Sequence, residues 1–506
     1  MNRNVRRKLG AEKARIERRL DEGRRASGQA PVLSGSNIHY EMSEKTSAIA
    51  HGGIGAIHRL VKKTGLVDRI DEKLQLLKVH APYHESDHVM NIAYNALCGG
   101  RTLDDIELRR NDRVFLDALG AKSIPDPTTA GDFCRRFEET DIQALTEAIN
   151  ETRLEVWKQQ GPSFIAGPAR IDADGSVVST DGECKEGMDI SYHGVWGYHP
   201  LLVTLANTGE VLSINNRSGN RPSHEGVVPR FDAAIDLCRR AGFKDVLLRG
   251  DTDFSLSSEL DRWDEDGVRF IFGYDAKKNL VARADGIPDD IYRELERRAE
   301  RLIATKPRTR PENVKDEVVV ERGFKTLRTN GEDVVEFDYQ PGKCSRTYRI
   351  VALRKNITVT KGETALFDEI RYFFYITNDR ALSADEVVHE ARQRCNQENL
   401  ISQLKNGVHA LHAPVNTLNA NGAYMLMASV AWTLKAWFAL SLPISPRWEE
   451  RHLGEREEIL RMEFRTFVSV IINIPAQITQ AGRRIIFRLL SWNRWEKILF
   501  RFLDAT

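Results

Sequence analysis

The first third of the chain has apolar positions at helical spacing. Residues 1–25 are rich in Arg, Lys and Glu at that spacing, and residues 31–55 carry Pro, Ser and Gly without periodicity, as linkers do. From about 56 to 160 the helical period returns, with Ser86 as an expected helix cap. One apolar face is formed by Val89, Ile92, Ala93, Ala96 and Leu97. This pattern predicts an N-terminal arm and linker over 1–50 and a helical domain over 51–165.

One helix of that domain carries a pair of arginines. Thr129 and Asp132 have the spacing of a capping box, and the helix they would begin exposes Arg135 and Arg136. Small helical domains with exposed cations often bind DNA, and an ordinary helical bundle explains the same pattern. Both interpretations remain open from periodicity alone.

The pattern changes near residue 168, where short alternating segments replace the helical period. The predicted strands are Ile171–Thr180, Leu201–Leu205, Val211–Ile214, Asp245–Leu248 and Val268–Gly273, and the predicted helices are Phe231–Ala241 and Ser255–Glu265. Three strands in sequence, then helix, strand, helix and strand, predict a mixed α/β sheet over 166–278.

A charged, strand-rich segment follows over 279–381. We expect a helix near Asp290–Leu302, strands at Glu317–Glu321, Val334–Tyr339, Tyr348–Leu353 and Arg371–Ile376, and a turn at Thr329–Gly331. A long helix from Ser383 to about Asn406, with Ser383 and Glu386 as a capping box, begins the segment 382–445. The remainder, 446–506, is predicted to be helical.

Composition narrows the class of protein. The 506 residues are 41% hydrophobic and 29% charged, which is typical of soluble globular proteins, and the net charge of +1 gives no indication of nucleic acid. The six cysteines include no C-x-x-C pair, which fits a reducing cytoplasm. The N-terminus lacks a signal-peptide core, and Lys435 interrupts the most apolar stretch, Tyr424–Leu442, so we expect a buried core helix rather than a membrane span.

Three acidic residues stand out by their context. Asp174 lies on the first predicted strand of the α/β region, Asp251 ends a buried strand, and Glu398 lies in the middle of the long helix. Carboxylates at strand ends, joined by one from a helix, form a hard-oxygen site suited to Mg²⁺, and two such ions can support phosphoryl displacement. Each acid alone also has a simple explanation as a turn, a cap or a surface charge.

The motifs around these acids resemble those of the DDE-type insertion-sequence transposases. The motifs are Asp174-Gly175-Ser176, then Arg249-Gly250-Asp251-Thr252-Asp253-Phe254, then Arg394-x3-Glu398-x6-Lys405. Tyr198-His199-Pro200-Leu201 and Gly219-Asn220 also look like signatures of the insertion-sequence group numbered thirteen-eighty, a cut-and-paste branch. The resemblance implies a ribonuclease-H-like catalytic core interrupted by a β-rich insertion, with helical N-terminal and C-terminal regions.

The resemblance also implies roles for individual residues. Asp174, Asp251 and Glu398 would be the catalytic residues and the ligands of two Mg²⁺ ions, with Mn²⁺ able to substitute. Arg394 and Lys405, which share a helix face with Glu398, would hold DNA phosphates, whereas an Arg394–Glu398 ion pair within the helix is the alternative. The partners would be transposon ends and target DNA, bound by a homodimer in a bacterial cytoplasm, in association with the nucleoid and not with a membrane.

Several alternatives stay open at this stage. Asp172 shares a strand face with Asp174, and Asp253 competes with Asp251. Related transposases carry a tyrosine at the position of Ala391, so a stacking role there is in doubt. The same acids would also serve a ribonuclease-H-like nuclease without strand transfer, and a DNA-binding derivative without catalysis is a further alternative.

Overall fold

Helices form the first third of the fold in the computed structural model, which describes residues 2–25, 37–41, 46–80, 82–295, 325–361 and 364–505. In chain order the elements here are α1 (Arg3–Arg25), β1 (Ala48–Ile49), α2 (Ile54–Thr64), α3 (Leu66–Lys73), α4 (Glu85–Leu97), α5 (Ile106–Arg110), α6 (Arg113–Leu119), α7 (Pro127–Cys134) and α8 (Glu139–Lys158). The apolar faces of α2, α4 and α8 pack into one continuous core that extends to the C-terminal helices.

Two predicted helix caps differ from those in the structure. Helix α4 begins two residues earlier, with His84 as N-cap, and Ser86 instead donates its hydroxyl to Asp71 at 2.9 Å. Helix α7 is capped by Asp126, whose carboxylate accepts the backbone N–H of Thr129 at 2.9 Å, so the predicted Thr129–Asp132 box is wrong. Pro127 follows that cap at the first helical position, where its fixed φ suits the helix and its missing N–H costs nothing.

The α/β region forms a mixed sheet, as predicted. Its elements are β2 (Ala169–Gly175), β3 (Val178–Ser179), β4 (Asp189–Ile190), β5 (Trp196–Tyr198), β6 (Leu201–Leu205), β7 (Glu210–Asn215), α9 (Val227–Ala241), β8 (Val246–Gly250), α10 (Leu260–Glu265), β9 (Arg269–Tyr274) and α11 (Lys278–Asp285). Strands β7, β6 and β2 are antiparallel neighbours, and β8 and β9 continue the sheet in parallel with β2. The short strands β3, β5 and β4 form a separate small sheet.

The strand-rich insertion extends the main sheet. Its strands are β10 (Arg293–Glu294), β11 (Lys325–Tyr339), β12 (Tyr348–Lys361) and β13 (Thr364–Thr377), and β13 pairs antiparallel with β9. The sheet order among the described residues is β10-β11-β12-β13-β9-β8-β2-β6-β7.

Two predictions within the insertion are wrong. The turn expected at Thr329–Gly331 is a bulge inside the continuous strand β11. The part of the expected Asp290–Leu302 helix that the structure describes contains the strand β10, and the rest of that segment and all of Glu317–Glu321 lie outside the described residues.

The long helix predicted after Ser383 is interrupted. It consists of α12 (Ala384–Gln393) and α13 (Cys395–Ser402), which meet at Arg394, followed by a π-helical turn over Gln403–Gly407. The capping box is confirmed, because Glu386 N–H donates to Ser383 and Ser383 N–H donates to Glu386.

Helix α14 (Leu418–Leu440) follows and lies in the core. It is the one helix among the described segments that is long and apolar enough to cross a membrane, and all of its most apolar window is buried inside the protein. This burial is what the sequence predicted for the apolar stretch around Lys435.

The C-terminal region is helical only in part. It contains α15 (Glu449–Arg461), α16 (Phe464–Phe467), β14 (Ala476–Ala481), β15 (Arg484–Leu489) and α17 (Glu496–Ala505). Strands β14 and β15 form an antiparallel hairpin whose turn contains Gly482 at a φ of 61°, and β1 pairs with the other edge of β14. The prediction that 446–506 is entirely helical is therefore wrong. The β-branched and aromatic residues Ile485, Ile486 and Phe487 favour a strand, and glycine suits the turn of the hairpin.

Candidate active site

Neighbouring parallel strands bring the first two predicted acids together. In the pairing register of β2 and β8, Asp172 lies opposite Arg249. Asp174 lies two residues after Asp172, and Asp251 lies two residues after Arg249, so these two acids are again opposite each other. Because side chains two residues apart share a face of the sheet, both acids are on the same face as the Asp172–Arg249 pair. Since adjacent strands are about 4.8 Å apart, the two carboxylates are neighbours at the carboxyl edge of the sheet.

Asp172, the alternative to Asp174 as a metal ligand, forms an ion pair with Arg249. Its side chain is 1% exposed, and Arg249 Nε and Nη2 donate to its two oxygens at 2.7 and 2.8 Å. Arg249 Nη1 also donates to Glu390 on α12 at 3.1 Å, and Glu390 accepts two further hydrogen bonds from Arg170. This chain of paired charges joins β2 and β8 to α12 inside the protein.

Sequence reasoning missed that network. A usable signal was present, because Arg249 precedes Asp251 by two residues just as Asp172 precedes Asp174. Two residues that face each other on paired strands and carry opposite charges are expected to form an ion pair. Glu390 had no comparable signal, since nothing in the sequence relates α12 to the sheet.

Asp251 is held at the start of a tight turn. It caps the 3₁₀ helix Thr252–Phe254, and its carboxylate accepts the backbone N–H of Asp253 at 3.0 Å. Phe254 is fully buried and anchors the turn beneath the sheet edge. Asp253, the competing acid, is exposed, whereas Asp251 is half-buried.

Arg394 lies between Glu398, the third predicted acid, and Asp174, the first. Arg394, at the junction of α12 and α13, places Nη1 3.4 Å from Asp174 Oδ2 and Nη2 3.9 Å from Glu398 Oε1. The Glu398 side chain is 61% exposed, and that of Arg394 only 17%. The Arg394–Glu398 pair within the helix, considered as the alternative from sequence, is thus present as a long contact, and Arg394 bridges toward Asp174 as well.

The three carboxylates influence one another electrostatically. Burial raises the pKa of Asp174 to about 6, Arg394 opposes the shift, and the charges of Asp251 and Glu398 add to it. Burial also raises the pKa of Asp251, again opposed by Arg394 and reinforced by Glu398. The site therefore concentrates negative charge around one arginine, so a cation placed there would be favoured.

Lys405 lies on the other side of Asp174. Its ammonium donates to the carbonyl of Val177 at 2.7 Å, just beyond the end of β2. Burial lowers the pKa of Lys405, and the charge of Asp174 opposes that shift. The break at Arg394 and the π-helical turn that contains Lys405 mean that the regular helix face expected from sequence does not form, although both cations remain beside Asp174.

The donor chemistry of the site suits a divalent ion, but the side chains are not gathered as a cluster. Carboxylate oxygens are the hard donors that Mg²⁺ prefers. Among the described residues, no group of three or more His, Cys, Asp or Glu side chains is close enough to hold a metal ion, and Glu398 is turned toward Arg394. Glu398 is the exposed member, so its rotamer is the one free to change.

The arginine pair of the helical domain lies apart from these acids. Arg135 donates to Asp132 at 2.6 Å and to Asn416, just before α14, at 2.8 Å. Arg136 makes a long contact of 3.4 Å with the carbonyl of Leu76. Both side chains are exposed, but Arg135 already has a carboxylate partner.

Comparisons with known proteins give the family. The family model of the transposase DDE domain, group 1, matches residues 33–505. A search of curated proteins found no match. One solved structure that matches is the cryo-EM structure of the piggyBac transposase synaptic complex with hairpin DNA, at 10% identity and a TM-score of 0.35 over 84% of this chain and 81% of that chain. A TM-score of that size does not establish a shared fold. The match to the family model spans nearly the whole chain, and the protein therefore belongs to the DDE transposases of group 1.

Proposed function

We propose that this chain is a cut-and-paste transposase that binds the inverted-repeat ends of an insertion sequence, cleaves them and joins the 3′ ends to target DNA. The observation that carries the proposal is the position of Asp174 and Asp251 at the carboxyl ends of neighbouring strands, with Glu398 reaching the same edge through Arg394. Ligands in open α/β sheets bind at such edges, where loops diverge and the backbone is rigid.

The strand order supports a ribonuclease-H-like core for this activity. Three antiparallel strands, β7, β6 and β2, are followed by the parallel strands β8 and β9, with α9 and α10 between them. The insertion strands extend the sheet at β9, and the chain then returns through α12 and α13 to the edge where Asp174 lies. The finer assignment to the insertion-sequence group numbered thirteen-eighty rests on the motifs alone.

Within this proposal Asp174, Asp251 and Glu398 would hold two Mg²⁺ ions, or Mn²⁺ in their place. Such ions, when bound, stabilise the charge that develops on the attacking and leaving oxygens of a phosphodiester. The bidentate pair with Arg249 keeps Asp172 out of this role, and the turn capped by Asp251 fixes that carboxylate toward the edge. We assign the ligand roles to Asp174 and Asp251 rather than to Asp172 and Asp253 on these grounds.

The cations beside the acids have a separate task in this scheme. Arg394 balances the negative charge of Asp174 and Glu398. When metal ions take over that task, the Arg394 guanidinium would be free to bind a phosphate oxygen of the DNA. Lys405, held against Val177, would offer a point charge to the same backbone. We propose Arg135 and Arg136 as further DNA contacts, with Arg136 the less engaged of the two. A homodimer acting in the bacterial cytoplasm on two DNA ends completes the proposal.

A strand-transfer assay separates the proposed transposase from a nuclease. The full-length protein is incubated with a labelled duplex carrying the inverted-repeat end, a target plasmid and Mg²⁺. The transposase proposal predicts cleaved ends and also labelled plasmid, whereas cleaved ends without joined product would favour a nuclease that lacks strand transfer.

The inactive-derivative alternative is tested by substitution in the same assay. We expect Asp251→Asn and Glu398→Gln to reduce cleavage by at least about 100-fold, because even the residues that support metal ligands are worth about 10–100-fold. Asp253→Asn is the matched control, since it removes an exposed carboxylate two residues from Asp251. No cleavage by the unaltered chain would favour a DNA-binding derivative, and equal loss in the control would overturn the choice of Asp251.

A further inference from the structure

The hairpin of β14 and β15 presents an unusual concentration of arginine. Arg483 lies beside Gly482 in the turn, and Arg484 and Arg488 lie on β15, which forms one edge of its three-stranded sheet. All three arginines are exposed. We call this hairpin the arginine ribbon.

The two faces of the arginine ribbon differ in what they contact. On β15, one face carries Ile485, Phe487 and Leu489 and the other carries Arg484, Ile486 and Arg488. Phe487 and Leu489 pack against the core. Phe487 lies so close to Gly55 of α2 that a side chain on that glycine would collide with its ring, at 2.5 Å. Since strand side chains alternate between faces, Arg484 and Arg488 point away from the helical domain.

The arginines of the ribbon lack carboxylate partners among the described residues. Two other exposed arginines of the C-terminal region are paired, Arg461 with Glu457 at 2.6 Å and Arg494 with Glu458 at 3.3 Å. Among the described residues, no Asp or Glu forms an ion pair with Arg483, Arg484 or Arg488. The ribbon thus carries net positive charge that the protein does not neutralise, although the whole chain has a net charge of only +1.

We propose that the outward face of the arginine ribbon binds the phosphate backbone of double-stranded DNA, an inference that rests on the proposed function. A two-stranded ribbon fits the major groove of B-DNA, which is about 12 Å wide. Arg484 and Arg488 are four residues apart on one strand face, a span of about 13 Å, so their guanidiniums can reach phosphates on both sides of that groove. Across the hairpin, Gln477 lies opposite Arg488 and Ala481 lies opposite Arg484, with the Thr479–Ile486 pair between them.

A second copy of the chain is a poorer occupant of this edge. Antiparallel pairing of two β15 edges would bring the arginines of both copies close together, and like charges on paired strands are destabilising. Phosphate groups, in contrast, match the charge of the ribbon and accept bidentate hydrogen bonds from arginine.

The salt dependence of DNA binding tests the proposal. Binding of the full-length protein to a fluorescently labelled duplex is measured by anisotropy in EDTA, between about 50 and 200 mM salt, where each phosphate contact contributes about 0.9 to the slope of log K against log salt concentration. We expect Arg484→Ala with Arg488→Ala to reduce that slope by about 2, whatever the duplex sequence. The charge-preserving pair Arg484→Lys with Arg488→Lys is expected to keep the slope.

Arg461→Ala with Arg494→Ala is the matched control, because it removes two exposed arginines that carboxylates already neutralise. An unchanged slope for the ribbon variant, or an equal reduction in the control, would overturn the inference while leaving cleavage by the unaltered protein, and so the proposed function, intact. Failure of the unaltered protein to bind any duplex would overturn both. Salt-dependent self-association lost in the ribbon variant, with DNA binding unaffected, would indicate the second copy instead.

Discussion

Asp172 and Arg249 lie opposite each other on neighbouring parallel strands and form a buried, bidentate ion pair. One step of two residues further along each strand, the environment changes from the interior to the sheet edge, where Asp174 and Asp251 lie. The same register therefore places Asp172 beside an arginine in the core and places Asp174, whose side chain is 16% exposed, at the sheet edge. Asp172 has a bidentate arginine partner, whereas Asp174 has only a 3.4 Å contact with Arg394, so we expect neutralisation to change stability in opposite directions at these two positions.

Neutralising Asp172 should destabilise the protein. Asp172→Asn would leave Arg249 as a buried charge with an incomplete partner, and the removal of one partner from a buried pair costs about 3–5 kcal/mol. Denaturant unfolding of the metal-free protein at pH 7 measures this loss. A loss well below 1 kcal/mol would show that the pair with Arg249 does not hold the strands together.

Neutralising Asp174 should have the opposite effect in metal-free protein. Because burial raises the pKa of Asp174 to about 6, the folded chain retains a proton that the unfolded chain releases at lower pH, so the ionised carboxylate destabilises the fold at pH 7. We expect Asp174→Asn to add roughly 1–3 kcal/mol at pH 7. The gain should shrink as pH falls through the pKa of about 6 and disappear near the ordinary value of 3.8, which unfolding curves at several pH values would reveal. Destabilisation at pH 7 would contradict the account.

Glu210 joins the helical domain to the catalytic sheet. This fully buried carboxylate on β7 accepts hydrogen bonds from Arg153 at 3.0 Å, from Trp157 and Trp437 at 2.8 Å each, and from Thr208 at 2.6 Å. Glu210→Gln would leave Arg153 unpaired in the core and replace an acceptor oxygen with a donor. The expected loss is about 3–5 kcal/mol in the free energy of unfolding. Glu155→Gln, an exposed acid on the same helix as Arg153, should change stability by less than about 0.5 kcal/mol.

Lys435 is a buried cation that we expect to weaken the fold at neutral pH. It is 1% exposed within α14, its ammonium donates to the carbonyl of Leu460 at the end of α15, and the same ammonium lies 3.8 Å from the centroid of the Trp432 ring. Burial lowers its pKa to about 7. In the unfolded chain Lys435 stays protonated up to its ordinary pKa near 10.5. The destabilisation of the folded state is therefore greatest below pH 7 and decreases as the pH rises from 7 to about 10.5.

Lys435→Met should therefore stabilise the protein, by roughly 1–3 kcal/mol at pH 7 after the lost hydrogen bond is allowed for. The advantage should decrease at higher pH, as thermal unfolding across pH 6 to 10 would show. Lys158→Met, at an exposed position, is the control and should have little effect. A stability loss in Lys435→Met that is independent of pH would mean that the ammonium contributes more than it costs.

The sequence predicts those parts of the fold that depend on short-range alternation. The buried apolar run before Asp251 stops where the chain turns, so the end of that strand was identifiable, whereas the strand predicted to run to Thr180 ends at Gly175. The pairing of the two strands was not identifiable, because which strands become neighbours depends on contacts between distant segments. The role of Glu390 could not be predicted for the same reason, because its partners Arg170 and Arg249 lie far away in the sequence.

Helix boundaries and interruptions were less predictable for local reasons. The segment around Arg394 contains neither proline nor glycine, and the break occurs at the residue that contacts Asp174 on the sheet. The hairpin of β14 and β15 contains glycine and alternating residues, but its many arginines also suit a solvated helix. Packing of Phe487 against α2 decides between these two structures.

A change of metal specificity at Asp251 tests whether this carboxylate is a ligand of the catalytic metal ions. Asp251→Cys replaces a hard oxygen donor with a soft thiolate, which binds Mg²⁺ poorly and the later, softer Mn²⁺ better. The account predicts that this variant cleaves an inverted-repeat duplex very slowly in Mg²⁺ and regains much of its activity in Mn²⁺, whereas Asp253→Cys remains active in both. If Asp251→Cys keeps full activity in Mg²⁺, or if Asp253→Cys alone shows the switch, Asp251 is not a metal ligand and the proposed active site is wrong.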